Sequence, residues 1–540
     1  MKLTVFLIFL LTSFTCIAQS EQATNNNTKE KINGHFWDVQ KYKLEIFVNI
    51  DNKSISGTNK IFYRVMDSLK EMKIDLQAPM KISEVTQNGA ILKFKKFGNY
   101  YLIPLEKQQT LNTIDSISVQ FYGKPKETDY APWKSGFTWS TDINGFDFIG
   151  TTCQADGASL WWPCKDQLYD EPDKGIETFY TVPSHLLAVG NGRLIDTNFD
   201  KTSKTKTYHW KTTNPINNYG VQLSIGNYVK YNNQYKGETG ILDCEYYVLK
   251  QHISRAKTQF TQVKKMLEAF EFWLGPYPFY EDSYKIVEVP YLGMEHQSAI
   301  GYGNNFQNGY LGTDLSETGW GLKFDFIIIH ESGHEWFGNN ITNKDKADMW
   351  IHEAFTNYSE ALYLEYYFGK KAANEYLIGI RKNIKNNFPI IGSYKASNRD
   401  TDMYYKGANM LQTIRHVIAN DETWRLLLRG LNKTFYHKTV STEELENYIS
   451  SFTNIDFSTV FNQYLRTSQI PTFEYKLSEK EIQYRYHNCL EDFQMSQYAF
   501  LNGKKIKLTP STNWQKTKFQ HKIYEFKINP NYYMNIKKYE

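Results

Sequence analysis

A chain of 540 residues, 22% charged and 41% hydrophobic, is long enough for two to four globular domains with their own cores. Its net charge of +4, or +3 without Lys2 of the leader described next, excludes a global basic field for nucleic acid and any strongly acidic character. The aromatic share of 16%, with 40 tyrosines and 34 phenylalanines, points to β-rich packing.

Residues 1–18 read as a signal peptide. Lys2 is its charged start, Val5 to Leu11 its apolar run, and Cys16-Ile17-Ala18 a small-residue cleavage site before Gln19. The apolar run is too short to span a bilayer permanently, and no other stretch is long and apolar enough. The expectation is an exported protein, periplasmic or secreted, with no stable membrane span. Cys16 matches a lipid-attachment site poorly, because Ser13-Phe14-Thr15 precede it. Four cysteines remain: Cys153, Cys164, Cys244 and Cys489. Export permits a disulfide between Cys153 and Cys164, the nearest pair; plain buried thiols fit equally well, and none has zinc-ribbon spacing.

Residues 19–34 are polar, Asn-rich and expected to be mobile. From 35 to 229 the pattern is β: Tyr42, Leu44, Ile46, Val48 and Ile50 alternate with polar residues, except Phe47. From about residue 254 the period becomes helical. Phe260, Val263, Met266, Leu267 and Phe270 share one face, and "GPYP" at Gly275–Pro278 ends the helix. "YKIVEVP" (284–290) reads as a strand, followed by a helix holding "FIIIHESGHEWFGN" and another from about Met349 to Phe368. Helical patterns continue to about 466. After Pro471, "TFEYKLSEKEIQYRYH" and "KIYEFKINPNYYMNI" return to alternation. No internal repeat is present. The resulting domains are 35–229, 230–466 and 467–540.

His330 and His334 lie four apart, one turn apart on one helical face, so both reach one metal ion. Glu331 stands one step round, placed to polarise a metal-bound water. With 12 histidines and 58 acids, about 0.03 such patterns arise by chance in this chain, which is suggestive only. The bland alternative is a solvated polar helix. The apolar "FIII" before it argues for burial, where two histidines and an acid need partners. A catalytic zinc takes three protein ligands and keeps one open position. Glu353, nineteen residues after His334, supplies the third; an acid at that one place lowers the chance figure to about 0.003. Glu360 and Glu365, further along that helix, default to a satisfied or solvated face, with Glu360 the one placed to support a ligand from behind.

"HESGHEWFGN" followed by Glu353 in "WIHEAFTNYSE" resembles the gluzincin aminopeptidases, the aminopeptidase N and leukotriene-hydrolase family of metallopeptidases. His352 stands where the family usually has Asn, and Ala354 where it has Gly. The family's second signature, GAMEN, is similar to "LGMEHQSA", Leu292 to Ala299, with Leu292 and His296 as departures. The resemblance implies that Glu295 binds the substrate's α-amine, with Gly293 and Met294 beside it; a carboxylate in a partly dry pocket suits an ammonium. "YYKGANML" resembles the family's Tyr-x-Lys-Gly-Ala, which makes Tyr404, not Tyr405, the expected oxyanion donor. "TCQADGASLWWPCKDQLYDEPDKG" matches more loosely, because extra residues follow Asp166; it implies Gln154 as a second anchor at the amino end. "IPTFEY" at Ile470–Tyr475 resembles the start of the family's small β-sandwich.

The resemblance implies a multidomain α+β fold: an N-terminal β-sheet domain, a thermolysin-like mixed α/β catalytic domain and a small C-terminal β-sandwich, with no large C-terminal helical domain. It implies a zinc aminopeptidase with one zinc per chain, acting on peptides with a free N-terminus and not on nucleic acid. The alternatives are a zinc endopeptidase on the same scaffold, epoxide hydrolysis, a structural zinc site, and a non-catalytic zinc-containing peptide-binding protein. Arg466 could meet a substrate carboxylate, though a surface arginine is the better reading.

Overall fold

A computed structural model describes residues 35–392 and 401–540. The leader expected at 1–18 and the polar segment at 19–34 lie outside the described residues. No helix among those described is long and apolar enough to cross a membrane.

The alternation read at Tyr42 to Val48 forms the strand Trp37–Asn49, with Tyr42, Leu44, Ile46 and Val48 buried and Phe47 44% exposed. Ile50 falls in the turn that follows. This strand sits inside an eight-stranded sheet, antiparallel to Ser54–Val65 and parallel to Ile176–Pro183. Smaller sheets pack against it, and one buried apolar cluster runs from Trp37 to Ala299.

A five-stranded mixed sheet begins with the hairpin Tyr228–Gly237 and Gly240–Leu249, so its first strand crosses residue 230. Tyr284–Glu288 and Ile300–Tyr302 add in parallel, and the short strand Gly293–Met294 pairs antiparallel at the edge. The helices follow. The apolar face read from Phe260 to Phe270 is split into Ile253–Gln259 and Gln262–Leu274. Tertiary packing overrides the period there: the Phe260 ring packs among Tyr246, Tyr302 and Phe306. The motif occupies Phe326–Gly333, and the returning helix is Trp350–Phe368. Beyond 470 a four-stranded and a three-stranded sheet form the expected small sandwich. It has no separate core: a second buried cluster runs continuously from Tyr235 through the helices to Tyr532.

The edge strand depends on a glycine. The Gly303 N–H donates to the Leu292 carbonyl at 2.7 Å, and a Cβ on Gly303 would lie 1.8 Å from the Tyr291 carbonyl oxygen. No side chain fits so close a backbone crossing. Gly303→Ala is expected to cost about 1–3 kcal/mol, read as a lowered urea midpoint against the parent protein.

Candidate active site

The motif helix starts at Asp325. Its carboxylate accepts from the N–H groups of Ile327 and Ile328, which caps the helix. Asp325 is itself buried and held by Tyr302, Asn304 and Gln259 at 2.7–2.8 Å. The helix's last residue is Gly333, and His334 follows with helical backbone angles, so the one-turn spacing to His330 survives. Two glycines let neighbouring chain close in. A Cβ on Gly333 would lie 2.6 Å from Ser359 Oγ on the returning helix. Gly338, at φ 144°, turns the chain beside His334, where a Cβ would lie 3.1 Å from Nδ1.

His330 Nδ1 donates to Glu360 at 2.7 Å, and His334 Nδ1 donates to the Phe337 carbonyl at 3.1 Å. Both rings therefore present Nε2. These atoms lie 3.8 and 3.5 Å from Glu353 Oε2, which is buried without a hydrogen-bond partner. Such separations are too long for hydrogen bonds. They suit ligands of one ion at about 2.0–2.2 Å each, whose mutual spacing in a tetrahedral site is about 3.3 Å. The orphaned oxygen and the two-imidazole, one-carboxylate donor set fit a zinc ion. Glu360, left between two roles by the sequence, is fully buried. It also accepts from Asn357 at 2.9 Å and from the Tyr376 hydroxyl, and so locks the His330 ring.

A cavity of about 720 Å³ opens over this cluster. Gln154, Gly293, Met294, Glu295, Glu331 and Tyr404 all line it, together with the three candidate ligands. Gly293 leaves room for the Glu331 carboxylate: a Cβ there would lie 2.9 Å from Glu331 Oε1 and 3.0 Å from Ile327. Burial pushes the Glu331 carboxyl up to about 7, with Glu353 and Glu360 adding and His330 opposing. Glu295 is driven well above the usual carboxylate range by burial first, then by the charges of Glu331 and Glu353. Gln154 Nε2 donates to Glu295 Oε1 at 2.5 Å, so the N-terminal domain reaches into the site. Burial, with the charges of Glu353 and Glu295, holds the Tyr404 phenol well above its ordinary value and so protonated. Its ring stacks on His330 at 6.0 Å; Tyr405 lines the same cavity.

Gly407 of the "KGA" stretch lies against the returning helix, where its missing Cβ leaves room for Ala354: the two Cβ positions would be 2.5 Å apart. His352 is buried, its Nε2 accepting from the Asn343 N–H at 3.0 Å. His296 is buried with neither ring nitrogen bonded among the described residues. Burial holds both rings neutral, down at about 3. Arg466 pairs with Glu446 at 2.7 Å and does not line the cavity. Glu365 pairs with Arg415 at 2.7 Å, a satisfied helix face. Cys153, Cys164, Cys244 and Cys489 are free thiols.

Residue-by-residue reading missed Glu335 and Asn339, although both lie in the motif stretch. Glu335 is fully buried and accepts from the Ser298 N–H, the Asn339 amide and the Tyr277 hydroxyl at 2.8–3.2 Å. Asn339 in turn donates to the Glu295 carbonyl at 3.0 Å. Together they tie the Glu295 segment to the motif. The one available signal was a second acid, directly after His334, in an otherwise apolar run. Glu360→Ala is expected to weaken metal affinity about 10–100-fold, measured by chelator competition on the folded protein.

Family models match both halves of this framework. The Peptidase M1 N-terminal domain matches residues 39–219, and the Peptidase family M1 domain matches residues 258–464. The chain is 21% identical over 472 residues to a leucyl aminopeptidase of Saccharolobus solfataricus, covering 82% of this chain and 55% of that protein. It is 22% identical over 458 residues to leukotriene A-4 hydrolase of Xenopus laevis, covering 77% and 68%. It is 22% identical over 521 residues to probable aminopeptidase 1 of Sulfurisphaera tokodaii, covering 92% and 62%. The chain thus spans between about half and two thirds of these relatives' lengths. An M1 zinc metallopeptidase of Deinococcus radiodurans has a similar fold, with a TM-score of 0.68 and 19% identity over 81% of this chain and 95% of that one. With both domain models matched in order around the HExxH helix, the chain belongs to peptidase family M1.

Proposed function

We propose that this protein is a zinc-dependent aminopeptidase that holds one zinc ion and removes N-terminal residues from peptides. One observation carries the reading. Glu295, Glu331 and Glu353 are all buried around one cavity, and none is paired with a lysine or arginine among the described residues. Three buried carboxylates call for cations. The metal at His330, His334 and Glu353 is one; a substrate ammonium at Glu295 and Gln154 is the other. The aminopeptidase names of relatives, and a solved neighbour from Deinococcus radiodurans bound to Tyr-Ser-Ala, support this reading.

Zinc bound there supplies a Lewis acid that polarises the first peptide carbonyl and acidifies water. The protein's own groups supply the rest. Glu295 and Gln154 hold the ammonium and set the chain's first residue in place. Gly293–Met294, a sheet-edge strand, offers backbone groups to an extended peptide. Glu331, lining the cavity beside the candidate ligands, takes the attacking water's proton and returns it to the leaving amine. Tyr404, protonated, donates to the carbonyl oxygen as it gains charge. An endopeptidase would leave Glu295 facing an uncharged internal peptide. A binding protein has no use for Glu331 and Tyr404. The leader-like residues 1–18 support export as part of the same reading.

The test uses one peptide, free and N-acetylated, with and without chelator, read by mass spectrometry. Stepwise loss of N-terminal residues from the free form only, abolished by chelator, is the expected result. Internal cleavage of both forms would make this an endopeptidase instead. In the same assay Glu331→Gln is expected to lower kcat about 100- to 10,000-fold. Tyr404→Phe is expected to lower kcat about 100- to 1,000-fold. Glu295→Ala is expected to raise KM for free peptides and to narrow the gap between free and acetylated forms.

A further inference from the structure

The C-terminal sandwich carries a charge that the active site does not use. Residues 467–540 hold 12 lysines and arginines against 7 acids, whereas the rest of the chain holds 50 against 51. The whole net positive charge of the protein therefore sits on this domain. Strand register shows how it is displayed. In the four-stranded sheet, Phe473, Ile482, Tyr484 and Tyr486 point into the core. Their neighbours point the other way, because side chains alternate along a strand. Lys476 stands opposite Gln483 and Tyr539, Gln483 opposite Lys516, Glu481 opposite Lys518, and Glu474 opposite Arg485 and Lys537. That outer face thus gathers Lys476, Arg485, Lys516, Lys518 and Lys537.

Its two acids do little to neutralise it. Glu474 is buried beneath the face, spent on Arg485 and the Tyr539 hydroxyl. Glu481 accepts from the Gln483 amide and keeps its charge, so the face carries five cations against two acids. Lys476, Lys516, Lys518 and Lys537 make no ion pair among the described residues, and all four are exposed. Two aromatic rings stand among the cations. Trp514, 39% exposed, lies 4.8 Å from the Arg485 guanidinium and 5.4 Å from Lys476. The Tyr539 ring lies 4.5 Å from Lys537.

We propose that this sheet face docks the protein on an anionic phospholipid surface. Unpaired lysines spread over three strands fit a flat array of negative headgroups, with each lysine contributing to attraction. An amphipathic Trp and Tyr among them match the side chains that settle at headgroup level. Docking of this type needs no membrane-spanning helix and leaves the peptide cleft, in another domain, open to solution.

The test is flotation of the purified full chain with vesicles. One set is pure phosphatidylcholine and the other carries 30 mol% phosphatidylglycerol, each at low and high salt. The expected result is a preference for the anionic vesicles that high salt removes. Combined Lys476→Glu, Lys516→Glu and Lys537→Glu is expected to cut that preference at least about tenfold. Trp514→Ala is expected to weaken it without changing its salt dependence. Unchanged thermal unfolding and unchanged peptide hydrolysis in solution would show that the variants stay folded. No anionic preference, or a preference that survives in the triple variant, would overturn the proposal. So would binding confined to a soluble polyanion such as dextran sulfate, which would assign the face to a polymer.

Discussion

Everything at the site depends on three helices approaching more closely than side chains ordinarily allow. The motif helix meets the returning helix where Gly333 leaves room for Ser359 and Thr356. The returning helix meets Asp402–Ile418 where Gly407 leaves room for Ala354. An added Cβ would meet Ser359 Oγ at 2.6 Å at the first crossing and Ala354 Cβ at 2.5 Å at the second, so each crossing would have to adjust. With the crossings closed, two histidines, Glu353 and Tyr404 converge from segments more than seventy residues apart. The family's usual Gly at 354 and this chain's Ala are both small enough for that contact, because the partner is itself glycine.

Closeness alone would leave a costly cluster of charge. Buried polar groups stabilise a fold only when each is satisfied, and the supports here are specific. Asp325 caps the motif helix and is held from three sides. Glu360 fixes His330, and the Phe337 carbonyl fixes His334. Glu335 and Asn339 carry the tie onward to the Glu295 segment. At the cavity, Glu353 Oε2 has no hydrogen-bond partner, and Glu295 and Glu331 are both pushed toward protonation. The stability cost of those groups is thereby coupled to the ligands that relieve it.

The division of cores bears on how the parts work together. One core joins the N-terminal sheets to catalytic-domain residues as far as Met294 and Ala299, and the other joins the catalytic helices to the C-terminal sandwich. The sandwich is therefore rigidly continuous with the helices that hold the metal ligands, while its outer sheet face turns away from the shared core. The N-terminal domain instead supplies Gln154, which reaches Glu295 across the domain boundary. Gln154 and Glu295 thus come from different domains that share one core.

The sequence by itself determined the chemistry. One-turn spacing of His330 and His334 is a local property of a helix, and Glu331, Glu353 and Glu295 were legible from short patterns around them. Strand alternation, as at Tyr42 to Val48, was equally local, because one buried face writes its period into the chain. Tertiary structure decided what depends on distant partners. Phe260 breaks a helix that periodicity alone would continue, since its ring is claimed by Tyr246, Tyr302 and Phe306. Glu360 changed from an ambiguous acid into the group that orients His330, which no spacing rule specifies. Glu335 and Asn339 gained their roles from Ser298 and Glu295, some forty residues away. The basic face of the sandwich exists only through strand register, which places lysines from three strands and an arginine from a fourth side by side. Local periodicity carries a residue's type and direction; only packing decides what it meets.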